Sequence, residues 1–140
     1  MSERSEGPPW ERRETPTARL MVDPTPLKLR ETLGRADAAL ASAPPAVARR
    51  VRILLTEVIG RSSDPRRQPR GPISIDIDIM DTAVRVDLSG PALVTPGEPS
   101  EPGGADDAVL PPWLLDDMAD RWGVDARMNN QPAMWFLVEF

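Results

Sequence analysis

The sequence contains no cysteine and no histidine. Without cysteine the chain can form neither disulfide bonds nor thiolate metal sites. It also lacks any apolar run near the roughly 20 residues that cross a bilayer, so no transmembrane segment is predicted. The stretch from Ser2 to Pro16 is polar and charged, unlike a signal peptide. These absences predict a cytoplasmic protein without a membrane partner.

Basic residues are outnumbered by acidic ones. The chain has 17 Lys and Arg against 22 Asp and Glu, a formal net charge of -5. Nucleic-acid binding relies on a basic surface that releases counterions from phosphates, so we expect no direct nucleic-acid contact. The arginines within Arg49–Arg52 and Arg66–Arg70 are interpreted as an exposed helical face or a contact for an acidic partner.

The residues that are present suffice for one core. The chain has 140 residues, of which 40% are hydrophobic, and this predicts a single domain. Its 17 prolines cluster near the N-terminus and between Pro91 and Pro112. We predict a flexible tail over 1–17, a folded domain over 18–140 and, within it, a flexible lid-like loop over 90–110. Trp10 in the tail is either an incidental aromatic or a docking anchor.

Two amphipathic helices are predicted in the first half of the chain. Asp23 or Thr25 can cap the first, and proline suits its first turn. Apolar residues recur along it at helical spacing, at Leu29, Leu33, Ala36 and Leu40. The second helix follows Ala43–Pro45 and ends near Ser62 to Pro65. Its apolar stripe is wider, with Val47, Val51, Leu54, Leu55, Val58 and Ile59.

Alternating residues predict strands. Ala18–Val22 can form a short one. In 73–80 isoleucine alternates with Ser74, Asp76, Asp78 and Met80, and after a turn near Asp81–Thr82 the stretch 84–88 alternates valine and leucine with Arg85 and Asp87. This pattern predicts a hairpin with one solvent-exposed face. Pairing of Arg85 with Asp76 or Asp78 there would be worth only a few tenths of a kcal/mol. The aspartates are interpreted as a solvated face rather than a cation site.

The last third predicts a helix and a closing strand. Pro111–Pro112 open the helix, Leu115, Met118, Ala119 and Trp122 share one face, and Gly123 ends it. Met134–Val138 is the strand. The tryptophans Trp113, Trp122 and Trp135 are expected to pack in or near the core, with exposure as the alternative for Trp113. This order of elements predicts an α+β two-layer sandwich, with a mixed or antiparallel sheet and helices on one face.

Three segments carry a family resemblance: Leu54–Ile59, Val84–Leu88, and Leu114–Val124 together with Trp135–Phe136 in the closing strand. They resemble a degenerate ATP-binding domain of the histidine-kinase-like (GHKL) type, in the actinobacterial serine-kinase anti-sigma-factor branch. The resemblance covers roughly Leu20 to Phe140. It implies the Bergerat-like version of the sandwich.

The resemblance also implies a nucleotide site, from which this chain departs. In the family, a helical glutamate activates the attacking group, and an asparagine one turn later holds magnesium. Glu57 matches the glutamate, but Arg61 replaces the asparagine and would repel a metal ion by about 4 kcal/mol at about 4 Å for a dielectric near 20. Gly90 replaces the adenine-binding aspartate. The phosphate-binding glycines fall near Val109 and Pro111, and proline has no amide hydrogen.

We therefore expect no catalytic residue, cofactor or metal, and predict a non-catalytic regulatory interaction protein. The resemblance implies a sigma factor or helix-turn-helix protein as partner, and a homodimer formed through the sheet edge and first helix region. Lys28, Arg30 and Arg35 would then meet acidic partner residues. One alternative is an active serine kinase and anti-sigma factor that uses Glu57 as base. Another is a structural subunit that needs a partner to be stable.

Overall fold

The described residues form a five-stranded antiparallel sheet with three helices. The computed structural model describes residues 17–63, 71–96, 110–128 and 131–140. The elements are β1 (Ala18–Val22), α1 (Pro26–Ala39), α2 (Pro45–Ser62), β2 (Ile73–Ile79), β3 (Ala83–Ser89), α3 (Pro112–Met118), β4 (Arg121–Met128) and β5 (Gln131–Glu139). The sheet order is β1-β2-β3-β5-β4. The predicted α+β sandwich is confirmed. The predicted tail, apart from Thr17, lies outside the described residues.

Local signals place the first two helices as expected. Thr25 is the N-cap of α1, and its Oγ1 accepts a hydrogen bond from the Lys28 amide at 3.3 Å. The apolar stripe of α2 is buried along its whole length, as predicted. Together with α3, these helices pack on one face of the sheet, against residues such as Ile75, Val86 and Phe136. None of the helices in the described ranges has the length and apolar character needed to cross a membrane.

The last helix is shorter than predicted, and the expectation that it ends at Gly123 is wrong. It ends at Met118, and Ala119 already has an extended backbone, with φ -117 and ψ 151. The Asp120 amide donates to the Leu137 carbonyl at 2.8 Å, and β4 then pairs with β5. Glycine and aromatic residues are weak helix formers, so pairing with β5 overrides the helical spacing of this segment.

The two ends of the predicted lid-like loop are anchored in the core. Leu93 and Val94 are each 2% exposed, and Leu110 is fully buried. Pro96 and Leu110 form a parallel bridge. Residues 97–109 of the predicted loop lie outside the described ranges.

Candidate functional site

Three segments with implied nucleotide-site positions meet at the C-terminal end of α2. The Val94 amide donates to the buried Ser62 Oγ at 3.0 Å, which joins the segment after β3 to the end of α2. Pro96 bridges Leu110, which precedes α3. The fold therefore brings together the segments that contain Arg61, Gly90 and Pro111.

At this end of α2 the Arg61 side chain forms an ion pair with Glu57, the residue that matches the catalytic glutamate of the resembled family. The Arg61 Nε donates to the Glu57 Oε1 at 3.2 Å, one helical turn apart. The two side chains are 27% and 40% exposed, so the pair adds at most about 1 kcal/mol to stability. Its effect is chemical, because the guanidinium places positive charge where the family would place a metal ion. Across the described residues, no group of three or more His, Cys, Asp or Glu could hold a metal.

Gly90 is required by the backbone. Its φ is +151, and a Cβ built on it would lie 2.4 Å from the Pro72 carbonyl oxygen. Its amide donates to the Pro132 carbonyl at 3.1 Å, which ties the end of β3 to β5. Only glycine accepts both the positive φ and the close approach, so an aspartate would not fit here without backbone movement. The presence of glycine at this position therefore has a structural cause.

The start of α3 offers few amide donors. Pro111 is the N-cap residue and makes no side-chain cap hydrogen bond, and Pro112 is the first helical residue. Neither has a backbone N–H. The Leu114 amide donates to the Pro111 carbonyl at 3.1 Å. A phosphate at this helix end would lack two of the amides that bind anions at helix N-termini.

The face of the β2–β3 hairpin opposite the helices is largely buried, so the expectation that it is solvent-exposed is wrong. Asp76, Asp78 and Arg85 on this face are only 5%, 3% and 7% exposed. Asp78 lies opposite Arg85 in the strand register, as the hairpin pattern suggested. The Arg85 guanidinium nevertheless donates two hydrogen bonds, at 3.0 and 2.9 Å, to the carboxylate of Asp87 on its own strand.

An aromatic ring adjoins this ion pair. The Arg85 guanidinium carbon lies 4.7 Å from the centroid of the Trp135 ring, a cation–π distance. The indole extends across β4, since a Cβ on Gly123 would lie 2.8 Å from Trp135 Nε1. Gly123 therefore admits a tryptophan from the neighbouring strand. Sequence reasoning missed this contact because it placed Gly123 at a helix end.

A second ion pair joins β1 to the same face. Arg19 donates from Nε to Asp76 Oδ1 at 2.8 Å and from a terminal nitrogen to Oδ2 at 3.2 Å. The two residues are direct partners in the strand register. The hydrogen bond and the negative charge of Asp76 raise the pKa of Arg19.

The predicted partner-binding residues lie on the outer side of α1. Lys28, Arg30 and Arg35 are all exposed. Lys28 and Arg35 are seven residues apart, which places them on the same side of the helix, whereas Arg30 lies across it. Lys28 Nζ is 3.9 Å from Glu31. Leu27 lies between the two sides and is 91% exposed, so the surface combines positive charge with one apolar side chain.

The other tryptophans divide between surface and core edge. Trp113 is 63% exposed, so its expected core position is wrong and the exposed alternative is right. Trp122 packs against the core from β4, and its indole N–H donates to Asp116 Oδ1 at 2.8 Å. It therefore links β4 to α3 instead of belonging to the helix.

No protein-family model matches the sequence, and comparison with curated proteins found no match. The resemblance to histidine-kinase-like domains therefore rests on the residues of the three segments named above.

Proposed function

We propose that this protein is a cytoplasmic, non-catalytic regulatory protein that binds a transcription regulator, either a sigma factor or a helix-turn-helix protein. The observation that carries the proposal is the ion pair between Arg61 and Glu57, at 3.2 Å. The Glu57 oxygen that would accept a proton from the attacking group already accepts a hydrogen bond from the Arg61 Nε. The positive charge of Arg61 opposes a metal ion.

Two further features weigh against ATP chemistry in the proposed relative of the anti-sigma factors. Gly90 is held by backbone geometry where an adenine-binding aspartate would be needed. Pro111 and Pro112 remove amide hydrogens from the start of α3. Each feature affects a different part of the nucleotide, the adenine base or the phosphates, so together they disfavour both binding and hydrolysis.

The partner surface in this proposal is the outer side of α1. Lys28, Arg30 and Arg35 would pair with acidic residues, and Leu27 would supply a buried apolar contact near them. Charge complementarity of this kind mainly raises the association rate and selects among partners. A homodimer, also implied by the resemblance, belongs to the same proposal.

Titration with a fluorescent ATP analogue tests the loss of nucleotide chemistry. We expect no saturable binding at micromolar concentrations, with or without magnesium. Arg61→Asn, which restores the residue of the family, should also fail to bind because Gly90 and the prolines remain. Saturable, magnesium-dependent binding by the unmodified chain would instead favour the serine kinase.

Affinity capture from a cytosolic extract of the host tests the partner surface. The unmodified chain should retain a transcription regulator identified by mass spectrometry, and Arg30→Glu with Arg35→Glu should lose it. The matched control is Arg52→Glu with Arg121→Glu, since both arginines are exposed, lie outside α1 and give the same change in net charge. Equal retention by both double variants would exclude the α1 surface. Capture without any transcription regulator would contradict the proposed partner class.

A further inference from the structure

The sheet face opposite the helices carries buried residues that lie outside the core beneath the helices. Leu137 is 0% exposed and Ala133 is 2% exposed, yet neither belongs to the cluster that packs against the helices. They alternate along β5 with Met134 and Phe136, which do belong to it. Successive strand residues point to opposite faces, so the middle of this second face is covered as well.

The covered area includes charged groups. The strand register places Asp78, Arg85 and Leu137 in one row across β2, β3 and β5, and the row ends at the exposed Arg121 on β4. Asp78 and Arg85 are 3% and 7% exposed. Buried charges are tolerated where polar groups surround them, so whatever covers this row must carry polar as well as apolar side chains.

In the described ranges no helix or strand lies over this face. The candidates for its cover are therefore the stretches of chain outside those ranges. Residues 64–70 follow the end of α2, on the helix side of the sheet. Residues 97–109 begin and end at Pro96 and Leu110, and Leu110 belongs to the helix-side core. Residues 129–130 only join the adjacent strands β4 and β5. All three stretches are joined at both ends to described residues that lie outside the row.

The N-terminal stretch is attached at the right place. Thr17 Oγ1 donates to Asp78 Oδ1 at 3.3 Å and accepts from the Ile79 amide at 2.9 Å. Both contacts lie at the β1 edge of the row described above. The residues that precede Thr17 therefore join the sheet beside the covered face.

We propose that residues 1–16 bind across the sheet face opposite the helices. At about 3.3 Å per residue this stretch can extend about 50 Å, whereas five strands about 4.8 Å apart span only about 19 Å. Its composition complements the face: Arg12 and Arg13 can meet Asp76 and Asp78, and Trp10 is the large apolar side chain that can cover Leu137. The inference is independent of the proposed function, and it leaves the α1 surface open for a partner.

Thiol labelling of the full-length chain tests this inference, because the protein has no cysteine of its own. Leu137→Cys places a thiol under the proposed cover, and Ala46→Cys places one on the exposed side of α2. We expect the first thiol to react with a disulfide reagent at least about tenfold more slowly, since it reacts only when the cover opens. If Leu137→Cys fails to fold by circular dichroism, Ala133→Cys on the same face replaces it.

Substitutions in the tail then identify the cover. Trp10→Ala, or Arg12→Glu with Arg13→Glu, should raise the labelling rate of the thiol at position 137 toward that of the exposed control at position 46. Trp113→Ala removes an exposed tryptophan from α3 and should leave the slow rate unchanged. The inference is overturned if the thiol at position 137 reacts as fast as the control from the start. It is equally overturned if protection survives the tail substitutions, or if protection grows with protein concentration, as a second copy would cause.

Discussion

Replacing Gly90 by alanine should destabilise the fold by about 3 kcal/mol. A non-glycine residue at a positive φ costs about 1 to 3 kcal/mol. The new Cβ would lie 2.4 Å from the Pro72 carbonyl oxygen, a backbone atom, and relief of such overpacking costs about 1 to 3 kcal/mol more. Alanine restricts the unfolded chain and returns about 0.4 to 1 kcal/mol. A loss of this size is a large share of a typical unfolding free energy of about 5 to 15 kcal/mol.

Urea unfolding followed by tryptophan fluorescence and far-UV circular dichroism measures the effect. Gly34→Ala is the matched control, because Gly34 lies on the exposed side of α1 and a Cβ there has nothing within 4 Å. This control should stabilise the protein by about 0.5 to 1 kcal/mol, the helix preference of alanine over glycine. A Gly90→Ala variant within about 0.5 kcal/mol of the unmodified protein would refute the argument that the backbone requires glycine.

Three further substitutions test the packing by the same unfolding measurement. Arg85→Ala should cost about 3 to 5 kcal/mol because it leaves a carboxylate unpaired in a buried site, whereas Arg52→Ala, which breaks an exposed pair of 3.2 Å, should cost at most about 1 kcal/mol. Equal losses of stability in the two variants would show that burial does not make the Arg85–Asp87 pair stronger than the Arg52–Asp37 pair. Gly123→Ala should cost about 1 to 2 kcal/mol and alter the fluorescence of Trp135, whose indole must move; an unchanged spectrum would contradict that contact. Thr25→Ala should cost about 1 kcal/mol through loss of the α1 cap, and no change would mean that the cap is dispensable.

Much of the fold could be predicted because its signals are local. The apolar spacing of α1 and α2 repeats every three or four residues, and proline and Thr25 mark where α1 begins. The hairpin of β2 and β3 follows from alternation alone, and the structure places Arg85 opposite Asp78, one of the two residues that the sequence offered as its partner. The residues on which the proposed loss of nucleotide chemistry rests, Arg61, Gly90 and Pro111, were also visible in the sequence. The sequence did not show that the Pro72 carbonyl oxygen leaves no room for a side chain at Gly90, because the two residues come together only in the folded chain.

The segment from Arg121 to Met128 illustrates what local patterns cannot resolve. Its spacing is compatible with a continued helix, but its backbone pairs with β5, and this pairing decides the outcome. The burial of Asp76, Asp78 and Arg85 is a second example. Alternation shows that these residues share a face, but whether that face meets water depends on which other part of the chain lies over it.

By itself the sequence determined the two long helices and the central hairpin. Spacing along the chain and the chemistry of single residues were sufficient for those conclusions. Only the tertiary structure decided that Trp135 crosses Gly123 and contacts Arg85, and that the face around them is buried. The physical reason is that burial and close approach depend on neighbours that are distant in sequence, and only folding brings those neighbours together.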